Sequence, residues 1–95
     1  MKLLMIIVDE THKEEVETFL RRSGVPGFTE IPHLLGSGAT GPRLGSSAFP
    51  KTSALILSIL EDGMVPRLRD GIREFCASCG ERAKMVVLGV EEVLT

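Results

Sequence analysis

Hydrophobic and polar positions along the chain fall into blocks of two different periods. Leu3 to Val8 (LLMIIV) is an unbroken apolar run of mostly branched residues, with the length and composition of a strand covered on both faces. Thr11 followed by Glu14 makes a capping-box pattern, and Val16, Phe19 and Leu20 then recur at helical spacing until Gly24 supplies a stop. Gly27 to Leu35 (GFTEIPHLL) roughly alternates, and Pro32, which lacks a backbone donor, assigns it to an edge strand or a bulge. Gly36 to Thr52 has no period and holds four of the ten glycines and two of the five prolines, so it reads as a long loop. Loops longer than about 12 to 15 residues in a compact domain are usually functional or disordered, and function is therefore expected here. Ser53 to Leu60 (SALILSIL) predicts a third strand and Glu61 to Met64 a turn. Pro66 suits the first turn of a second helix, whose buried stripe is Leu68, Ile72, Phe75 and Cys79 and which Gly80 ends. Lys84 to Val90 predicts the fourth strand, with Glu91 to Thr95 as a short tail.

The order strand, helix, strand, strand, helix, strand predicts an α+β fold. It is the ferredoxin-like βαββαβ sandwich, an antiparallel four-stranded sheet with two helices on one face. Two helices cannot cover both faces, yet the first, third and fourth strands are apolar at both alternating sets of positions. A neighbouring copy is expected to cover the second face. The 95 residues suit one domain, spanning 1–95, and a domain this small often gains stability by self-association.

Composition narrows the function. Apolar residues at 43% and charged residues at 25% describe a chain that folds. A net charge of −2 lacks the positive field that carries phosphate-backbone affinity, so no nucleic-acid partner is expected. No apolar stretch approaches the roughly 20 residues needed to cross a bilayer, so no direct membrane insertion is expected. Asp9 and Glu10 follow the first apolar run where a signal peptide would stay apolar, which points to the cytoplasm. There the two cysteines would remain reduced.

The motifs exclude more chemistry than they support. Gly36-Ser37-Gly38-Ala39-Thr40-Gly41 matches GxGxxG, but Pro42, Gly45 and Pro50 break any helix behind it, so no dinucleotide site follows. Closely spaced glycines do let backbone amides approach a small anion, to which Arg43 and Lys51 would add charge. The same spacing also suits a loop whose glycines only permit turns. Cys76 and Cys79 form a C-x-x-C late in the second helix, with Cys79 expected in the buried stripe and Cys76 at its edge. Both are read as core packing, because redox pairs normally open a helix. His33, at the mouth of the loop, is a candidate ligand contact or a solvated side chain. No acid, base and nucleophile set stands out, and an enzyme is not expected.

Taken together, MKLLMIIV, GFTEIP leading into the glycine-rich loop, SALILSIL and KMVVLGVEEVL resemble the P-II nitrogen-regulatory and P-II-like signalling proteins over nearly the whole chain. The ending Val87 to Glu92 is similar to the V-L-P-V-E-E of that family. The resemblance implies a homotrimer of ferredoxin-like subunits with a protruding T-loop, here segment 36–52. That loop would control a membrane transporter or an enzyme. It also implies a small effector, an adenine nucleotide, bound at clefts between subunits. Gly36, Ser37, Gly38, Ala39 and Thr40 match the base of the T-loop, and Lys84 matches the lysine that ends the family's phosphate-binding loop. Arg43, Leu44 and Phe49 are the candidate partner anchors. Glu81, Arg82 and Ala83 stand where the family has glycines, and the chain has no tyrosine, which excludes tyrosine uridylylation. The resemblance is therefore to a divergent member. The alternative is a trimeric metal-binding protein, similar in fold to the divalent-cation tolerance family, with His33, Cys76 and Cys79 as ligands.

Overall fold

A computed structural model describes residues 1–80 and 82–95. Its main sheet contains β1 (Lys2–Asp9), β2 (Thr29–Leu34), β5 (Ser53–Leu60) and β6 (Lys84–Gly89), in the antiparallel order β2-β5-β1-β6. Helices α1 (Lys13–Arg22) and α2 (Val65–Cys79) complete the expected ferredoxin-like arrangement. Two short strands, β3 (Gly36–Gly38) and β4 (Gly41–Arg43), form a separate antiparallel ribbon.

The unbroken apolar run divides by period two once it is paired. Leu4, Ile6 and Val8 point to one face with Ala54, Ile56 and Leu60, and are buried under Val16 and Leu20 of α1 and Leu68 and Ile72 of α2. The alternate residues Leu3, Met5 and Ile7 lie opposite Ile59, Leu57 and Leu55 on the face that carries no helix. Ile7, Ile31, Ile59, Val86 and Leu88 remain exposed there. The helix-free face is apolar, as the strand pattern predicted.

Four local expectations need correction. The start of α1 is not a Thr11–Glu14 capping box. Asp9 caps a 3-10 turn over Glu10–His12 by accepting from the Thr11 amide at 3.0 Å, and α1 follows from His12 without a side-chain cap. Asp9 competes successfully because its short side chain already sits at the strand end. Segment 36–52 is not wholly irregular, since β3 and β4 pair Gly36 with Arg43 and Gly38 with Gly41 around Ala39-Thr40. Three-residue strands rich in glycine carry no period to read. Cys79 is exposed and Cys76 half-buried, because burial along the α2 stripe fades after Ile72. The second strand begins at Thr29 rather than Gly27. It occupies the sheet edge, as Pro32 implied, and its register slips between Ile31 and Leu34, where His33 takes φ of 57°.

Candidate functional site

The chain reverses twice at the same end of the sheet, where β1 stops and β5 and β6 begin. The short ribbon and the segment leading into β6 flank that end and enclose an open cleft of about 850 Å³. Gly36, Ser37, Gly38, Ala39 and Thr40 line one side, and Lys84, with Arg82 and Ala83, lines the other. Candidate ligand residues more than 40 positions apart in sequence thus share one cleft. Its volume lies within the range of about 300 to 1,000 Å³ typical of small-molecule sites. Glu81, which stands beside Arg82 where a family glycine was expected, lies outside the described residues.

Among the described residues, four cations, Arg43, Lys51, Arg82 and Lys84, line the cleft together with one carboxylate, Asp9. Arg43 is fully engaged on one edge. Its Nη2 donates to Asp9 Oδ1 and, at 2.9 Å, to the Thr52 carbonyl, while its Nε donates to Ser53 Oγ at 2.9 Å. Burial pushes the Asp9 carboxyl up, but the Thr11 hydroxyl and amide and the Arg43 guanidinium outweigh it and hold the group below its ordinary value. Arg43 therefore forms part of the cleft wall.

Glu10, the next residue, ties down the two ends of the loop segment. Its carboxylate accepts from the His33 amide at 2.7 Å and from Thr52 Oγ1 at 3.2 Å, and it pairs with Lys13 at 2.9 Å. The Lys13 ammonium, against partial burial, holds Glu10 below the usual carboxylate range with help from those donors. Lys13 also reaches Glu30 on β2 at 3.3 Å.

The other sequence candidates lie elsewhere. Leu44 and Phe49 sit together at the far end of the loop, where the Leu44 amide donates to the Phe49 carbonyl at 3.2 Å, and both are exposed. His33 stands at the β2 bulge with its ring toward Glu10, 3.3 Å away. Cys76 and Cys79 close α2, with Cys79 Sγ donating to the Phe75 carbonyl at 3.1 Å. Among the described residues no group of three or more His, Cys, Asp or Glu side chains that could hold a metal ion occurs, and His33 lies on β2 while Cys76 and Cys79 lie at the end of α2. Asp9, Ser53 and Arg82 were not singled out as cleft residues from sequence. Asp9 left a faint signal, an acid two residues before a threonine at a strand end.

No helix among the described residues is long and apolar enough to cross a membrane. No curated protein sequence matches the chain. Among solved structures, it is similar to a nitrogen regulatory PII-like protein from Thiomonas intermedia K12 bound to ADP, AMP and bicarbonate. The identity is 26%, with 94% of this chain and 86% of that one covered and a TM-score of 0.74. The same protein in its apo form matches at 25% identity, with 94% and 89% covered and a TM-score of 0.69. A PII-like signalling protein from Thermus thermophilus, at 15% identity, 92% and 83% coverage and a TM-score of 0.70, shares the fold. The family profile described as nitrogen regulatory protein P-II matches residues 1–95. With its ferredoxin-like sheet and the cleft at the base of its long loop, the chain belongs to the nitrogen regulatory protein P-II family.

Proposed function

We propose that this chain is a cytoplasmic, trimeric effector-sensing regulator whose cleft takes an adenine nucleotide and whose 36–52 segment reports the occupancy to a membrane transporter or an enzyme. The observation that carries this reading is the convergence of Gly36–Thr40 and Lys84 on one cleft lined by three further cations. Backbone amides spaced by glycines and a set of lysine and arginine side chains suit a phosphate group. The Thiomonas proteins of this fold hold ADP and AMP, which favours the same ligand class here. Self-association is supported by the apolar face that the helices leave bare. The signalling role falls to a loop whose exposed Leu44 and Phe49 offer apolar contact area.

The test is calorimetric titration of the purified protein, of mass fixed by light scattering, with ADP, AMP, ATP and cyclic AMP, each with and without bicarbonate. Saturable binding of one nucleotide per subunit, lost in Lys84→Ala, supports the reading. Absence of heat with every nucleotide from a confirmed trimer would overturn the nucleotide assignment.

A further inference from the structure

The β3–β4 ribbon has no core of its own: its three cross-strand pairs are built from Gly36, Ser37, Gly38, Gly41, Pro42 and Arg43, and most of it is exposed. Among the described residues, the hydrogen bonds that tie it to the main sheet all come from Arg43, to Asp9, Thr52 and Ser53. Asp9 is 9% exposed, and both it and Arg43 face the same cleft. We propose that Asp9 and Arg43 form an electrostatic latch that holds the ribbon against the cleft, and that an oxyanion entering the cleft opens it by drawing the guanidinium away from Asp9.

The physical basis is competition for one cation. A guanidinium binds carboxylate and phosphate with the same fork geometry, so an oxyanion beside Arg43 offers what Asp9 offers. Asp9 is also the cleft's one carboxylate among the described residues, and its charge opposes any anion that approaches while Arg43 stays paired with it. Lys51, Arg82 and Lys84 supply the attraction that brings the anion in. When Arg43 leaves Asp9, Thr52 and Ser53, the ribbon loses its side-chain hydrogen bonds to that end of the sheet and the exposed loop beyond it is free to rearrange. The latch rests on the reading of the cleft as an anion site, and it explains how occupancy would reach Leu44 and Phe49, which lie outside the cleft.

Asp9→Asn keeps the shape and the acceptor for Thr11 but removes the charge, whereas Arg43→Gln removes the cation. Both should speed amide hydrogen exchange over residues 36–43 about tenfold, and the double variant should add little to either. Their effects on anion affinity should be opposite in sign. Asn at position 9 should tighten binding of inorganic phosphate and ADP by about tenfold, and Gln at position 43 should weaken it by a similar factor. In the unsubstituted protein, inorganic phosphate should itself speed exchange over 36–43, and in Arg43→Gln it should not. Circular dichroism confirms that each variant is folded, and Arg43→Gln, on the ribbon outside the hydrophobic core, serves if Asp9→Asn does not fold. Exchange unaffected or slowed by phosphate, or affinities that fall together in both variants, would overturn the latch. If ADP binds with unchanged affinity in both variants, the effector reading stands and the latch fails. If phosphate opens the ribbon while ADP binds to no form of the protein, the latch stands and the nucleotide reading fails.

Discussion

Glu17 of α1 and Glu30 of β2 lie close together with Lys13 alongside, where a proton on Glu17 can be shared with Glu30. Burial, followed by the bond to Glu30, raises Glu17 to about 7, while Glu30, accepting from Glu17 and Lys13, is held below its ordinary value. A carboxyl group whose pKa is raised on folding binds its proton more tightly in the native state. Below 4.5, the ordinary value, folded and unfolded chains both carry the proton and nothing is lost. Between that value and about 7 the unfolded chain ionises first, so stability falls as pH rises. Glu17→Gln keeps a donor toward Glu30 at every pH. It should raise stability at pH 8 by about 1 kcal/mol, after allowance for solvent screening, and leave it unchanged near pH 4. Melting temperatures across that range check this; parallel curves for the two proteins would refute the shared proton. The lowered Asp9 and Glu10 act in a different window, contributing stability that is lost only in stronger acid. None of this pairing was legible in the sequence, where Glu17 is one of six charged residues between positions 13 and 22, because it depends on which residue of β2 the helix crosses.

The helices meet where a side chain is missing. A Cβ at Gly71 would stand 2.1 Å from Cζ of Phe19, so the ring of α1 occupies the space above the α2 backbone. Gly71→Ala gains about 1 kcal/mol of helix propensity. It also forces the Phe19 ring, which packs against the core, to swing outward. The overlap is too deep for small adjustments, and the net effect should be a loss of about 1 to 2 kcal/mol, read from urea denaturation. An unchanged or raised midpoint would show that the ring moves freely. Sequence periodicity located both helices and all four long strands, because each buries a stripe or face long enough to leave a repeat. It missed the β3–β4 ribbon, whose register is set by Gly41 at φ of 102° and by Arg43, and it misplaced Cys79 by carrying a stripe past the point where the helix stays covered. The cleft was legible in parts: glycine spacing and family resemblance pointed to Gly36–Thr40 and Lys84. Asp9 and Ser53 enter only through the pairing of β1 with β5, which sets them opposite each other.

On the scale of the whole molecule, the accessible surface is 6126 Å². A compact monomer of this mass should expose about 5,350 Å² by the usual scaling. The helix-free sheet face, where Ile7, Ile31, Ile59, Val86 and Leu88 are exposed, is a part whose exposure costs free energy. On it Ile59 of β5, Leu3 of β1 and Leu88 of β6 form a row across three strands, with Leu3 in the middle. Bare apolar surface of this kind is stable in water only when something covers it, and a second copy brings a matching face at no extra cost in sequence. Ile59→Glu places a charge at the β5 end of that row, on the same bare face, where burial against a neighbour would leave it unpaired, while the opposite face of β5, which carries Ile56 and Leu60 into the core, is untouched. The variant should therefore remain folded by circular dichroism and elute as a monomer in light scattering, where the unsubstituted protein should elute as the proposed trimer. Assembly that survives the charge would place the subunit contact elsewhere. A folded monomer that still binds ADP with full affinity would show that one subunit completes the cleft, whereas weakened binding would show that residues of a neighbour close its open side.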